Sequence, residues 1–323
     1  MQRRHCLGLL AAPALLGAIA TRAAPIELLE QDLTLERGAQ RLHGSLLRPA
    51  QAHKPLVALI IAGSGPTDRD GNSAGLPGRN DSLKLLAQGL AQAGIASLRY
   101  DKRGVGASAA AMTTEAELRF EHYADDATAW VELLARDTRF SGVAIIGHSE
   151  GATLGLLAAQ RGKAKAYVSL AGPGRPAAEA LRAQLEGKLP SALIERNEQI
   201  LQALQRGDTV ADVPPPLAAL YRPSVQPYLI SWFRVDPARE IARLTIPVAV
   251  VQGTTDIQVA VDDAKRLAAA RPGSALHLIE GMNHVLKAVP ADPSRQRASY
   301  SDPSMPLAPE LLKPLALFLT DAV

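Results

Sequence analysis

The sequence predicts an α/β fold, a doubly wound and mostly parallel sheet with a helical cap inserted after the sixth strand. Three observations carry this. Six short apolar runs recur at regular intervals, amphipathic segments separate them, and the alternation breaks once, between about 173 and 240.

The first element lies from about 32, where "DLTLERGAQRLHGSLLRP" alternates polar and apolar residues around "RGAQ", the pattern of an antiparallel hairpin. The apolar runs follow: "LVALIIAG" (56–63), "IASLRYD" (95–101), "VAIIGHS" (143–149), "AYVSLAG" (166–172), "IPVAVVQGTTD" (246–256) and "ALHLIEG" (275–281). Continuous apolar runs bounded by Gly or Asp suit strands buried on both faces. Between them, "DSLKLLAQGLAQAG" reads as a helix with Asp81 as N-cap and Gly94 as its stop. "EHYADDATAWVELLARD" reads as another, with Tyr123, Ala127, Trp130 and Leu134 on one face. The interval 173–240 holds proline-punctuated helical stretches and no buried strand, which makes it the cap. Tyr221, Tyr228, Trp232 and Phe233 cluster there and suit either a substrate-binding pocket wall or a helix-packing core.

Bulk composition narrows the function. At 323 residues and 47% hydrophobic content the chain can bury a substantial core. Its N-terminus, "MQRRHCLGLLAAPALLGAIATRAAP", has the charged, apolar and small-residue regions of a secretory signal peptide, with cleavage after Ala20 or Ala23. The adjacent Arg3 and Arg4 also raise the twin-arginine export route, to which "QRRHCL" is a loose match. The expected organisation is therefore a signal peptide at 1–23, a core at 24–172 and 241–323, and a cap at 173–240. The expected location is periplasmic or secreted. The net charge of +3 includes Arg3, Arg4 and Arg22, so a mature chain is close to neutral. Nucleic acid and a stable membrane anchor are not expected partners. Cys6, the only cysteine, opens the apolar run instead of closing it, which argues against a lipid anchor.

The pattern Gly-x-Ser-x-Gly occurs twice, as "GHSEG" at 147–151 and "GNSAG" at 71–75. A nucleophile elbow needs a strand before the serine, a helix after it and tiny neighbours, because the serine backbone is strained. Ser149 has "VAII" before it, "EGATLGLLAAQ" after it, and Gly147 and Gly151 around it. Ser73 has no strand before it and Pro77 after it, which makes it a loop residue.

A serine hydroxyl needs a base. Of seven histidines, His284 in "EGMNHVLK" follows the last strand, where a doubly wound sheet builds its site. His148, next to the serine, is expected to point away from it. Asp256 closes "VVQGTTD" and is the expected acid. Asp262 and Asp263 begin a helix and read better as partners of its dipole. The chain order Ser149, Asp256, His284 is nucleophile, acid, base. Two backbone N–H groups are expected to hold the oxyanion, those of Glu150 and of Ser64 in "AGSGP".

These motifs, with "GSGPTDRDGN", "SLRYDKRGVGAS" and the closing "DPSMPLAPELLKPLALFL", resemble the α/β-hydrolase superfamily. Within it they are similar to exported bacterial serine-aminopeptidase-like and dienelactone-hydrolase-like esterases, over most of 55–323. The resemblance implies a catalytic triad of Ser149, Asp256 and His284 with an oxyanion hole at Ser64 and Glu150; no cofactor is expected. The oxyanion loop reads "AGSG" where many lipases have "HGGG". After the "SLRYD" strand, Asp101 and Arg103 are expected to pair, the alternative being a substrate-carboxylate clamp at Arg103. Asp68, Asp70 and Asn72 alternate as in a calcium loop, but Arg79 stands where the closing Glu belongs, so no metal is expected. The functional expectation is a carboxylic ester hydrolase for a small-molecule substrate with a short or medium acyl or aryl group. The alternatives are an aminopeptidase-type serine peptidase, with Glu150, Glu179, Glu186, Glu195 or Glu198 receiving the amine, and a non-catalytic binding protein.

Overall fold

The computed structural model describes residues 26–112 and 114–322. The 1–23 segment therefore lies outside the described residues.

Strands β1 (Leu28–Arg37) and β2 (Gln40–Pro49) form the expected hairpin. They are followed by β3 (Val57–Ile61), β4 (Ala96–Tyr100), β5 (Val143–His148), β6 (Ala166–Leu170), β7 (Val248–Gly253) and β8 (Ala275–Ile279). The eight strands form one sheet in the order β1-β2-β4-β3-β5-β6-β7-β8. The two pairings of β2 are antiparallel and all others parallel.

Burial on both faces holds for β3 to β7 and fails for β8, where only Ile279 is buried. The last strand has one neighbour, and Leu276 and Leu278 lie exposed on it. Strand pleating divides the core in two. Val57, Leu59, Ile61, Val143 and Ile145 join one apolar cluster, whereas Ala58, Ile60, Ala144 and Ile146 join the other.

Helix α1 (Ser82–Gln92) packs in the second cluster through Leu83, Leu86 and Leu90. Asp81 occupies its N-cap position at φ 51°, but the side chain does not cap the helix. Its carboxylate accepts from Asn72 and Arg79, and Asn80 Oδ1 instead takes the Ser82 N–H at 2.9 Å. Helix α2 (Phe120–Arg136) buries Tyr123, Ala127, Trp130 and Leu134 in the first cluster, with α3 (Glu150–Arg161) beside it.

Between β6 and β7 the described chain forms α4 (Ala177–Leu185), α5 (Ser191–Arg206), α6 (Ala218–Tyr221), α7 (Gln226–Phe233) and α8 (Pro237–Ile241), and no strand. Helix α8 packs on α3 and on α9 (Val261–Ala270), against the sheet layer. Helices α10 (Pro293–Ser299) and α11 (Leu312–Asp321) complete the chain, the latter covering the second cluster with Leu315 and Leu319.

Strand order reverses between β3 and β5. Crossovers leave on opposite sides of that point, so the loops beyond these strand ends open a crevice.

Candidate active site

Ser149 stands at the end of β5, between the strand and α3, with φ 56° and ψ −123°. A non-glycine residue at positive φ costs about 1–3 kcal/mol, and this one is held in place from both sides. Its N–H donates to Leu170 O at 3.0 Å, and its carbonyl accepts from Ala152 N at 2.9 Å. The flanking glycines are obligatory for space. A Cβ on Gly147 would lie 2.2 Å from Gly151 O, and one on Gly151 would lie 2.3 Å from Ile61 O. Ser73 sits in a surface loop, bridged to Thr67.

The loops after β7 and β8 bring two further side chains to Ser149. His284 Nε2 lies 3.0 Å from Ser149 Oγ, and His284 Nδ1 lies 2.8 Å from Asp256 Oδ2. A carboxylate can only accept, so Nδ1 carries the proton and Nε2 is left to accept from the serine hydroxyl. Asp256 is fully enclosed, with its Oδ1 accepting the N–H groups of Gln258 (2.8 Å) and Val259 (3.0 Å). Gln252 Nε2 donates to Oδ2 at 3.1 Å. Burial alone would raise this carboxyl. The His284 charge and hydrogen bond, with those backbone donors, outweigh it and hold the pKa below its ordinary 3.8. Next to His284, the buried Asn283 fixes the loop by donating to Ser299 Oγ and accepting from Lys287 N.

The rivals of Asp256 are engaged elsewhere. Asp263 takes Arg175 through two hydrogen bonds and Gly174 N–H through a third, and Asp262 pairs with Lys265.

His148 turns away from Ser149 as expected, towards a partner that local spacing does not signal. It makes no bond to Ser149, but its Nε2–H donates to His284 O at 2.8 Å and its ring packs 4.9 Å from the His284 ring. It braces the loop that carries His284. Burial, then the charge of His284, lowers its pKa to about 4. A histidine depressed in the fold stays neutral there while the unfolded chain binds a proton at about pH 6.5. The stability it contributes is thus complete above pH 6.5 and is lost as pH falls towards 4. From pH 7 to 4.5 this amounts to about 2 kcal/mol. Urea unfolding at the two pH values is expected to show that loss in the native chain and not in His148→Gln. Equal losses in both would refute the assignment.

The neighbouring charged residues pair differently from the sequence expectation. Asp101 does not bind Arg103. It accepts from Arg69 Nε and Nη2 and from the backbone N–H groups of Arg69 and Ala107. Arg103 forms a two-pronged bond to Asp126, 2.7 Å on each prong, and a third bond to Gln40. Asp126 reaches Arg103 from α2, a contact that local sequence spacing does not signal. Asp68 Oδ1 accepts the N–H groups of Asp70 and Asn72, and Asp70 pairs with Arg79 and Arg99, so this loop is closed by its own hydrogen bonds.

A cavity of about 490 Å³ opens onto Ser149, with Ser64 and Glu150 beside the serine. Its wall is mostly apolar, Val105, Met112, Leu118, Leu181 and Leu229 among its residues. Of the four clustered aromatics, Tyr228 and Trp232 line it. Tyr221 and Phe233 do not, because α6 and α7 turn them into the helix packing, where the Tyr221 hydroxyl donates to Asn197 Oδ1 at 2.9 Å. Every charged residue on the wall has a partner of opposite sign: Arg103 with Asp126, Glu115 with Arg222, and Glu150 with Lys102. Lys102 carries no signal of its own in the sequence beyond its place in "DKRG".

Residues 75–210 match the serine aminopeptidase S33 family. Esterase EstD of Thermotoga maritima is 29% identical over 260 residues, covering 80% of this chain; the chain spans 60% of that relative's length. Among solved structures, Est1E from Butyrivibrio proteoclasticus with ferulic acid bound superposes with a TM-score of 0.58 at 18% identity, over 90% of this chain and 96% of that one. Proline iminopeptidase of Mycobacterium smegmatis does so with a TM-score of 0.55 at 18% identity, over 90% and 98%. The fold is that of the α/β-hydrolases. Within that fold, the family match and the Thermotoga relative make the chain similar to esterases and serine aminopeptidases.

Proposed function

We propose that the protein is a serine-dependent hydrolase of neutral carboxylic esters with a short or medium acyl or aryl group. The observation that carries this reading is the aligned Ser149, His284 and Asp256, with Ser149 on the wall of an apolar cavity whose charges are all paired.

In the proposed reaction Ser149 Oγ attacks the ester carbonyl carbon while His284 Nε2 takes its proton. Asp256 stabilises the resulting imidazolium. The carbonyl oxygen becomes an oxyanion between the N–H groups of Ser64 and Glu150. As the carbon–oxygen bond to the alcohol breaks, His284 returns the proton to the leaving oxygen and an acyl-enzyme remains. Water then attacks that ester by the same route, with His284 as base, and releases the acid and Ser149.

An aminopeptidase needs a free carboxylate for the substrate amine. Glu150 and Glu115 are the carboxylates on the cavity wall, and each is held by a cation. Glu179 and Glu198 pair with Arg266 and Arg182, away from that wall. The name of the Thermotoga relative and the ferulic acid bound to Est1E lend the ester reading further support.

The test sets 4-nitrophenyl esters, acetate to octanoate, against aminoacyl 4-nitroanilides with a free amine. Ester turnover that falls off at the longer chains, without anilide turnover, is the expected result. Anilide turnover at a comparable kcat/KM would transfer the assignment to a peptidase.

A further inference from the structure

Lys102 is 1% exposed, and nothing in the acyl-transfer steps uses it. Its Nζ donates to Glu150 Oε2 at 2.8 Å and to Gly63 O at 2.5 Å, and stands 5.0 Å from the Tyr123 ring centre. The other Glu150 oxygen accepts from the Tyr228 hydroxyl of α7. Burying a lysine and a glutamate costs free energy that a well-packed apolar pair of similar size would avoid. What an apolar pair would lack is a donor for Gly63 O.

That carbonyl shares a peptide unit with the Ser64 N–H. The unit is planar, and in the trans form its C=O and N–H point in opposite directions. Whatever holds Gly63 O therefore aims the Ser64 N–H. Gly63 lies against the elbow, since a Cβ on it would come 3.1 Å from Ser149 Cβ, and Ser64 borders the cavity beside Ser149. A charge-assisted bond to the carbonyl also polarises the unit and strengthens its N–H as a donor.

We propose that Lys102 is a positioning residue for the oxyanion hole, pinning the Gly63–Ser64 peptide so that its N–H faces the developing oxyanion. Glu150 anchors the Lys102 ammonium through its carboxylate while its own N–H is the second donor, so one buried ion pair sets both. The inference rests on the serine-hydrolase reading.

The effect belongs to the transition state, where the oxygen carries its charge. Losing an oxyanion donor outright costs about 10²–10³ in kcat, and a misaimed donor costs less, about 10–100-fold, with KM within threefold. Lys102→Met alone leaves Glu150 buried without its cation and is expected to lower the melting temperature. Lys102→Met/Glu150→Met removes both charges and is expected to recover it. The gentler Lys102→Gln keeps a donor near Glu150.

Kinetics on 4-nitrophenyl butyrate, the rate of fluorophosphonate labelling and thermal melting are measured for all three and for Ser149→Ala. The expected result is a double variant that melts near the native temperature yet keeps the loss in kcat and labels more slowly. A folded double variant, or a folded Lys102→Gln if the double does not fold, with kcat and labelling within threefold of native overturns the proposal. Activity surviving in Ser149→Ala would instead overturn the hydrolase reading beneath it.

Discussion

Ser149→Ala is expected to lower kcat on 4-nitrophenyl butyrate by about 10⁶-fold and to abolish fluorophosphonate labelling, with the melting temperature nearly unchanged. The kinetic magnitude follows from the proposed role: without a nucleophile neither the proposed acyl-enzyme nor its hydrolysis can occur, and what remains is binding and oxyanion stabilisation. The small structural effect follows from the surroundings. The side-chain partner of Ser149 Oγ is His284 Nε2, and the backbone bonds to Leu170 and Ala152 do not involve the side chain. Alanine bears the same positive φ as serine, so the elbow keeps its strain and its shape. Labelling that persists in Ser149→Ala would mean that another residue carries the reaction, and Ser73 would be the first to replace.

The parts of this site that the sequence disclosed share a physical cause. Ser149, Asp256 and His284 each follow a strand that announces itself as an apolar run, and parallel strands deliver their C-terminal ends to one edge. Position along the chain was thus enough to bring them together. Pairings across the sheet were not legible in that way. Asp101 binds Arg69 instead of the near neighbour Arg103, and Arg103 binds Asp126 on α2. Choosing between such partners requires the strand order, because β3 lies between β4 and β5. For His148 the direction was legible but the partner was not. Its side chain points away from Ser149, but the loop after β8 comes to meet it there. The aromatic cluster shows a further limit. Composition marked four side chains, while helical phase sent Tyr228 and Trp232 to the cavity and Tyr221 and Phe233 into the packing. The lone expectation of a buried strand that failed, β8, failed because sequence does not reveal which strand ends the sheet.

Asp256→Asn is expected to reduce kcat by about 10⁴-fold, with KM changed little, through the tautomer of His284. The enclosing donors force this outcome. The N–H groups of Gln258 and Val259 both point at Oδ1, so an asparagine must place its carbonyl there. Its NH₂ then occupies the Oδ2 position, facing His284 Nδ1. An amide N–H donates to an unprotonated Nδ1, which moves the ring proton to Nε2, and a protonated Nε2 cannot accept from Ser149 Oγ. The reverse rotamer would set the NH₂ against two backbone donors. Gln252 meets the same conflict, since its Nε2 now faces Oδ2 while its Oε1 is buried without a partner. Turning that amide over would satisfy the new NH₂ but give up its bonds to Gly253 O and Val259 O. NMR of the imidazole nitrogens should find the proton on Nδ1 in the native protein and on Nε2 in Asp256→Asn. A variant that keeps native kcat would remove Asp256 from the site. Because Asp262 and Asp263 are committed to Lys265 and Arg175, it would also mean that the imidazole needs no carboxylate to hold its tautomer.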